Sequence, residues 1–232
     1  MKRFNVAGVC VPEKHYMADI RDKLEKMIDM IEDDEYYMMN RARQYGKTTT
    51  LSRLNNELKD KYYVLFLSFE GVGEGAFAND NAFVQFFIKK AAEELQYNNV
   101  DRTVIENWAD KGSLSAGDAF DHLSDKITAL CRNCDQDIIL MVDEVDKSSN
   151  NQIFLNFLGM LRGKYLLRQQ GRDVTFKSVI LAGVYDIKNL KLKLRPDEEC
   201  RYNSPWNIAS DFNIDDSPVK SLFAYNILCF IF

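Results

Sequence analysis

The chain has 232 residues, 46% of them hydrophobic, which is enough for a sizeable core and far from the composition of a disordered segment. Thirty Lys and Arg against 35 Asp and Glu leave a formal charge of −5, which argues against a general nucleic-acid coat but not against a local basic patch. The start (MKRFNVAGVCVPEKHY) has no long apolar run of the secretory kind, and no segment approaches the roughly 20 apolar residues of a membrane helix; the five Cys, an odd number, predict a reduced cytoplasmic protein.

Ile20, Leu24, Met27, Ile28 and Ile31 predict an amphipathic helix over 18–33, and the acidic run 32–35 (EDDE) reads as its solvated end. Residues 36–39 (YYMM) form a short apolar run ending at Asn40, the pattern of a buried strand. Leu51, Leu54 and Leu58 supply the next helix face. Residues 62–69 (YYVLFLSF) are a near-continuous hydrophobic strand, which favours a parallel sheet covered on both faces. Gly71, Gly73 and Gly75 make a flexible turn, and Phe83, Val84, Phe87, Ile88, Ala91 and Leu95 another helix.

Residues 98–117 are mixed, with Trp108 among several turn formers, and no element is assigned there. Phe120, Leu123, Ile127 and Leu130 give a helix whose end carries Cys131 and Cys134. Zinc would need two further ligands, and His15 and His122 offer no matching spacing, so the C-x-x-C reads as an ordinary helix end. Residues 137–142 (DIILMV) are a second buried strand, closed by Asp143 and Glu144. Phe154, Phe157, Leu158, Leu161 and Tyr165 form a long helix, 179–184 (VILAGV) a further strand, and 206–214 one more candidate. Strands alternating with helices predict an α/β fold around an open parallel sheet with right-handed crossovers.

Chemistry concentrates between the first strand and the second helix, at Gly46, Lys47 and Thr48. Phosphate binding needs backbone N–H groups at a helix N-terminus, a Gly that lets the backbone approach, a Lys reaching the β/γ oxygens and a hydroxyl for Mg²⁺. The three residues fit these roles in order, and Thr49 is a secondary candidate for the α-phosphate. The G-x-x-x-x-G-K-[ST] pattern is incomplete, because its first glycine falls on Arg41. A bare G-K-[ST] is also what a polar helix start can look like. The second motif changes that balance: a buried strand delivers Asp143 and Glu144 to its C-terminal end, where open α/β sheets bind ligands. Asp143 would position Mg²⁺, and Glu144 would orient and polarise an attacking water. Asp186, after the next strand, is either a γ-phosphate sensor or a helix N-cap; Ser68 and Glu70 either face the same crevice or are a turn residue and a surface charge.

These segments together resemble the bacterial AAA-like (AAA-ATPase-like) P-loop NTPase family, similar in turn to archaeal-type and signalling ATPases. The resemblance runs from about Phe4 to Phe212 and rests on residues 10–17 (CVPEKHYM), 40–49 (NRARQYGKTT), 67–71 (LSFEG), 142–146 (VDEVD), 181–186 (LAGVYD) and 202–207 (YNSPWN). The family loop usually reads Arg-Pro-Arg-x-x-Gly-Lys-[Ser/Thr], so Arg41 fits it while Ala42 departs from it. The resemblance implies a three-layer α/β/α sandwich with a mostly parallel sheet of the additional-strand (AAA/ASCE-like) type. It implies ATP and Mg²⁺ as cofactors, ATP hydrolysis as the activity, and an arginine contributed by a second subunit or partner. The nucleotide would be held by Arg43, Gln44, Tyr45, Gly46, Lys47, Thr48 and Thr49, with Tyr16 or His15 stacking on the base unless they serve only the core. Lys47 and Glu144 are the catalytic candidates, and Thr48 and Asp143 the metal candidates. Arg195 and Arg201 are either phosphate sensors or surface charges.

On the same reading, residues 1–216 form the ATPase core. The apolar tail 217–232 is expected to be a truncated or frame-shifted start of a lid region, against the alternative of a short core element. The rival functions are a nucleotide-binding switch without useful hydrolysis and a kinase-type phosphotransferase; Glu144 directly after Asp143 favours hydrolysis over the kinase.

Overall fold

The computed structural model describes residues 2–4, 10, 13–16, 19–40, 46–110, 119–145, 151–184, 206 and 208–212. In chain order the elements are α1 (Arg21–Glu32), β1 (Tyr37–Asn40), α2 (Lys47–Leu58), β2 (Tyr63–Ser68), a 3₁₀ turn (Glu74–Phe77), α3 (Asp80–Tyr97), α4 (Arg102–Ala109), α5 (Ala119–Asn133), β3 (Ile138–Asp143), α6 (Gln152–Gln169), β4 (Ser178–Gly183) and β5 (Ser210–Asp211). The sheet runs β2-β3-β4-β1-β5, and every pairing in it is parallel. β4 is therefore inserted between β1 and β3, which is the additional-strand arrangement expected above.

The alternating pattern of the strands divides the apolar side chains between two cores. Ile138, Leu140 and Val142 point into a core shared with α3, α4, α5 and α6, while Ile139 and Met141 point into one shared with α1 and α2. β3 and β4 are buried along their whole length because helices cover both faces, which explains why their sequences read as continuous hydrophobic runs. The first core is aromatic at its centre: Phe157 packs against Phe87 and Phe83 at 4.9 and 5.1 Å between ring centroids, and Phe69 against Phe154 at 5.6 Å. In the second, Leu24, Met27 and Ile31 of α1 and Leu51, Leu54 and Leu58 of α2 form the helical stripes that the sequence spacing predicted.

Two local expectations change. The unassigned stretch 98–117 contains α4, capped by Asp101, whose carboxylate accepts from Thr103 N–H at 2.8 Å, and anchored by the buried Trp108, whose indole N–H donates to Ile88 O at 2.9 Å. Eight residues are too few for periodicity to show, and one large ring does most of the anchoring. The acidic run 32–35 is more than a solvated helix end. Glu32 accepts from Lys61 Nζ at 2.6 Å and Tyr62 Oη at 2.8 Å. Asp34, in a left-handed turn at φ 62°, pairs with Lys177 at 2.8 Å and Arg168 at 2.7 Å. The run thus ties the end of α1 to the connection between α2 and β2, to α6 and to the approach to β4. The expected strand over 206–214 forms as the short β5 beside β1, and the readings for 213–232 lie outside the described residues. Cys131 lies in the last turn of α5 and Cys134 just beyond it; burial pushes their thiols up to about 12 and about 11.

One charge lies deep in the first layer. Lys164 of α6, 2% exposed, donates to Asp173 Oδ2 and Thr128 Oγ1, each at 2.6 Å, and to Ser124 O at 3.1 Å. Burial pushes the Asp173 carboxyl up, but bonds from Lys164, Thr128 and Val174 N–H outweigh it and hold the group below the usual carboxylate range. A depressed folded value means that the stabilisation is complete above about pH 4 and lost as pH falls through the folded value. Lys164→Met should lower stability by about 3 kcal/mol in urea unfolding, because it strands the Asp173 charge. The loss of stability as pH falls below about 4 should be smaller in that variant than in the parent.

Candidate functional site

The site lies at the C-terminal ends of β1, β3 and β4, where the parallel strands open toward the helix N-termini. Gly46 caps α2 in the left-handed region at φ 76°, and its carbonyl accepts the first helical bond from Thr50 N–H at 2.8 Å. Among the described residues an added Cβ would meet nothing within 4 Å, and the backbone conformation by itself favours glycine here. Gly46 offers no side chain to cap this helix start and no acidic residue occupies its first turn, which leaves the positive end of the helix dipole suited to an anion. Lys47, the first helical residue, is 5% exposed.

The two motifs meet directly. Thr48 Oγ1 donates to Asp143 Oδ2 at 2.6 Å, across 95 residues of sequence. Asp143 closes β3, is 2% exposed, and uses its other oxygen to accept from Glu144 N–H at 2.9 Å. That bond steadies Glu144 in a left-handed conformation, φ 57°, which is costly for a residue with a Cβ and turns the chain sharply away from the strand. Phe69 N–H donates to Asp143 O at 3.0 Å, fixing the end of β2 beside it. Ser68 is the register partner of Asp143, and its Oγ accepts from Glu70 N–H at 3.1 Å, which fits the turn-residue alternative for this pair.

The N-terminal segment also reaches this place. Cys10 N–H donates to Thr49 Oγ1 at 3.2 Å, which leaves the hydroxyl its own proton to donate. Tyr16 is 51% exposed and packs its ring against Phe4 at 5.1 Å, so it is not a core aromatic, whereas His15 is buried. Arg41, Ala42, Arg43, Gln44 and Tyr45, together with Asp186, Arg195 and Arg201, lie outside the described residues. Asn40 entered the sequence reading only as the end of an apolar run and the start of segment 40–49. This last residue of β1 pairs with Gly183 of β4, and its Oδ1 is buried without a hydrogen-bond partner.

A family model described as an AAA-like domain matches residues 21–185, from the start of α1 to just past β4. No curated protein matches the chain. Among the described residues, no helix is long and apolar enough to cross a membrane.

Gly46→Ala should cost about 1 kcal/mol in thermal or urea unfolding, since a Cβ disfavours the left-handed region even where space is open. Thr48→Val should cost about 1–3 kcal/mol by leaving the buried Asp143 short of a donor, and Thr48→Ser should restore most of that loss.

Proposed function

Since the chain belongs to the AAA-like domain family, and with it to proteins of ATPase-like, nucleotide-binding function, we propose that it binds ATP between the start of α2 and the end of β3 and hydrolyses it with Mg²⁺. The observation that carries this reading is the 2.6 Å bond from Thr48 to Asp143, which brings a hydroxyl at a helix N-terminus and a buried carboxylate to one point. Gly46 and the first-turn N–H groups of α2 receive the phosphates, and Lys47 supplies the ammonium for the β/γ oxygens. Thr48 and Asp143 are hard oxygen donors from two elements, a set that fits Mg²⁺; when bound, the ion supplies neutralisation of the phosphate charge.

Asp143 has a second task in this reading. By accepting from Glu144 N–H it holds the following carboxylate at the crevice, where Glu144 orients a water in line with the γ-phosphate and takes its proton. Catalysis is then positioning and charge stabilisation by groups already in place. Arg43, Gln44, Tyr45 and Thr49 are the further nucleotide-binding residues in this proposal, and Tyr16 stacks on the base, its exposed ring supporting that role. An arginine from a second copy or partner completes the γ-phosphate environment, so the isolated chain turns over slowly. The protein works in the cytoplasm.

The test is ATP binding and phosphate release by the purified chain with and without Mg²⁺. Lys47→Ala should abolish binding. Glu144→Gln should bind ATP as the parent does and lose at least about a hundredfold in turnover. Unchanged binding by the Lys47 variant would sink the proposal, and tight binding by a parent that releases no phosphate would select a nucleotide-binding switch instead.

A further inference from the structure

Asn40 ends β1 with its Oδ1 buried and no hydrogen-bond partner for it. A buried acceptor left unmet costs about 1–3 kcal/mol, so each one in a folded chain calls for a reason. The sheet supplies one here. Tyr36 and Met38 of β1 point into the first core and Tyr37 and Met39 into the second, so Asn40 continues the first set. Its neighbour across the ladder is Gly183 of β4, which carries no side chain, and Ala182 and Val184 on either side of that glycine are apolar. Among the described residues, Asn40 is the polar side chain at the joined tips of β1 and β4.

The same alternation sorts the acidic strand. Leu140 and Val142 face the first core; Met141 faces the second, and Asp143 follows it there to meet Thr48. Val142 is level with Leu181, and Asn40 with Gly183. The residue level with Asn40 on the line of β3 is therefore Glu144, where the chain leaves the strand at φ 57°. Two strand spacings of about 4.8 Å set those lines about 10 Å apart, with Gly183 between them. Thr48 and Asp143 thus meet on the face of α2, and Asn40 stands on the opposite face beside the turn at Glu144.

Resting on the hydrolytic reading above, we propose that Asn40 is a further catalytic residue, which holds the attacking water together with Glu144. An acceptor cannot face a phosphate oxygen, since both present lone pairs; it needs an O–H or N–H donor. The attacking water brings two O–H bonds. One proton passes to Glu144, the other O–H donates to Asn40 Oδ1, and the free lone pair is aimed at the γ-phosphorus. The new P–O bond forms as the bond to the bridging oxygen breaks, and the departing diphosphate keeps that electron pair. A carboxamide is neutral at every working pH, so it orients the water without competing for the proton. An in-line reaction also needs its attacking and leaving groups on opposite sides, and the strand alternation separates the metal candidates from Asn40 in that sense.

The test compares the parent with Asn40→Leu, close in size and without polar atoms, and with Asn40→Thr, which keeps an oxygen acceptor. Asn40→Leu should bind ATP within about twofold of the parent and lose at least about tenfold in kcat, the size of one hydrogen bond made only in the transition state. Asn40→Thr should recover most of that loss. Without nucleotide, Asn40→Leu should unfold at a urea concentration equal to or above the parent's, because it removes an unmet acceptor. A kcat equal to the parent's, or a lower urea midpoint in a folded Asn40→Leu, overturns the proposal. If the leucine prevents folding, as judged by circular dichroism, Asn40→Ala decides on kcat and ATP binding, with the same loss expected. A parent that binds ATP and releases no phosphate overturns this proposal and leaves nucleotide binding standing. Failure of the nucleotide reading itself looks different, because Lys47→Ala then binds ATP as the parent does.

Discussion

A single short hydrogen bond holds the candidate site together. Thr48 begins a helix and Asp143 ends a strand; 95 residues separate them in sequence, and 2.6 Å separates their oxygens in space. Nothing local produces that meeting. It depends on β1 and β3 ending at the same level, which the ladders through β4 enforce: Asn40 lies beside Gly183, and Val142 beside Leu181. The buried aliphatic and aromatic layers on both faces fix the register, since a slip by one residue would send each strand's side chains into the wrong core.

The same geometry explains where the chain departs from easy backbone conformations. Gly46 and Glu144 both adopt positive φ, one at the mouth of α2 and one just past the end of β3. The first is met by a residue without a Cβ. The second is held by a carboxylate already engaged with the first motif, so a costly backbone angle and a long-range contact support one another. Membership of the AAA-like domain family accords with this layout, and the inserted β4 places the acidic strand at one remove from the strand that leads into the glycine.

Much of this was legible in the sequence for a physical reason. Strands buried on both faces cannot hide, so 62–69, 137–142 and 179–184 announced themselves as apolar runs, and the leucines of α2 kept a helical period. The positions of Gly46, Lys47 and Thr48 at the start of α2 and of Asp143 at the end of β3 were visible because each motif adjoins a strongly patterned element. What escaped was information carried across the fold. α4 depends on one buried indole and a cap, and Asp34 on two cations more than 130 residues further on. No window of neighbouring residues contains such contacts. Asn40 belongs to the same class, since its unpartnered oxygen is defined only once β4 lies alongside.

Asp34 has a mechanical meaning. It sits where the chain enters β1, and its partners Arg168 and Lys177 sit where α6 ends and the path to β4 begins. Ser178 adds a bond of 2.6 Å to Glu35 O at the same pole. The strands flanking the crevice are thus riveted at their feet, while their tips carry the strained turns. Any displacement at the tips must pivot on this footing, and the lever arm is the length of the sheet.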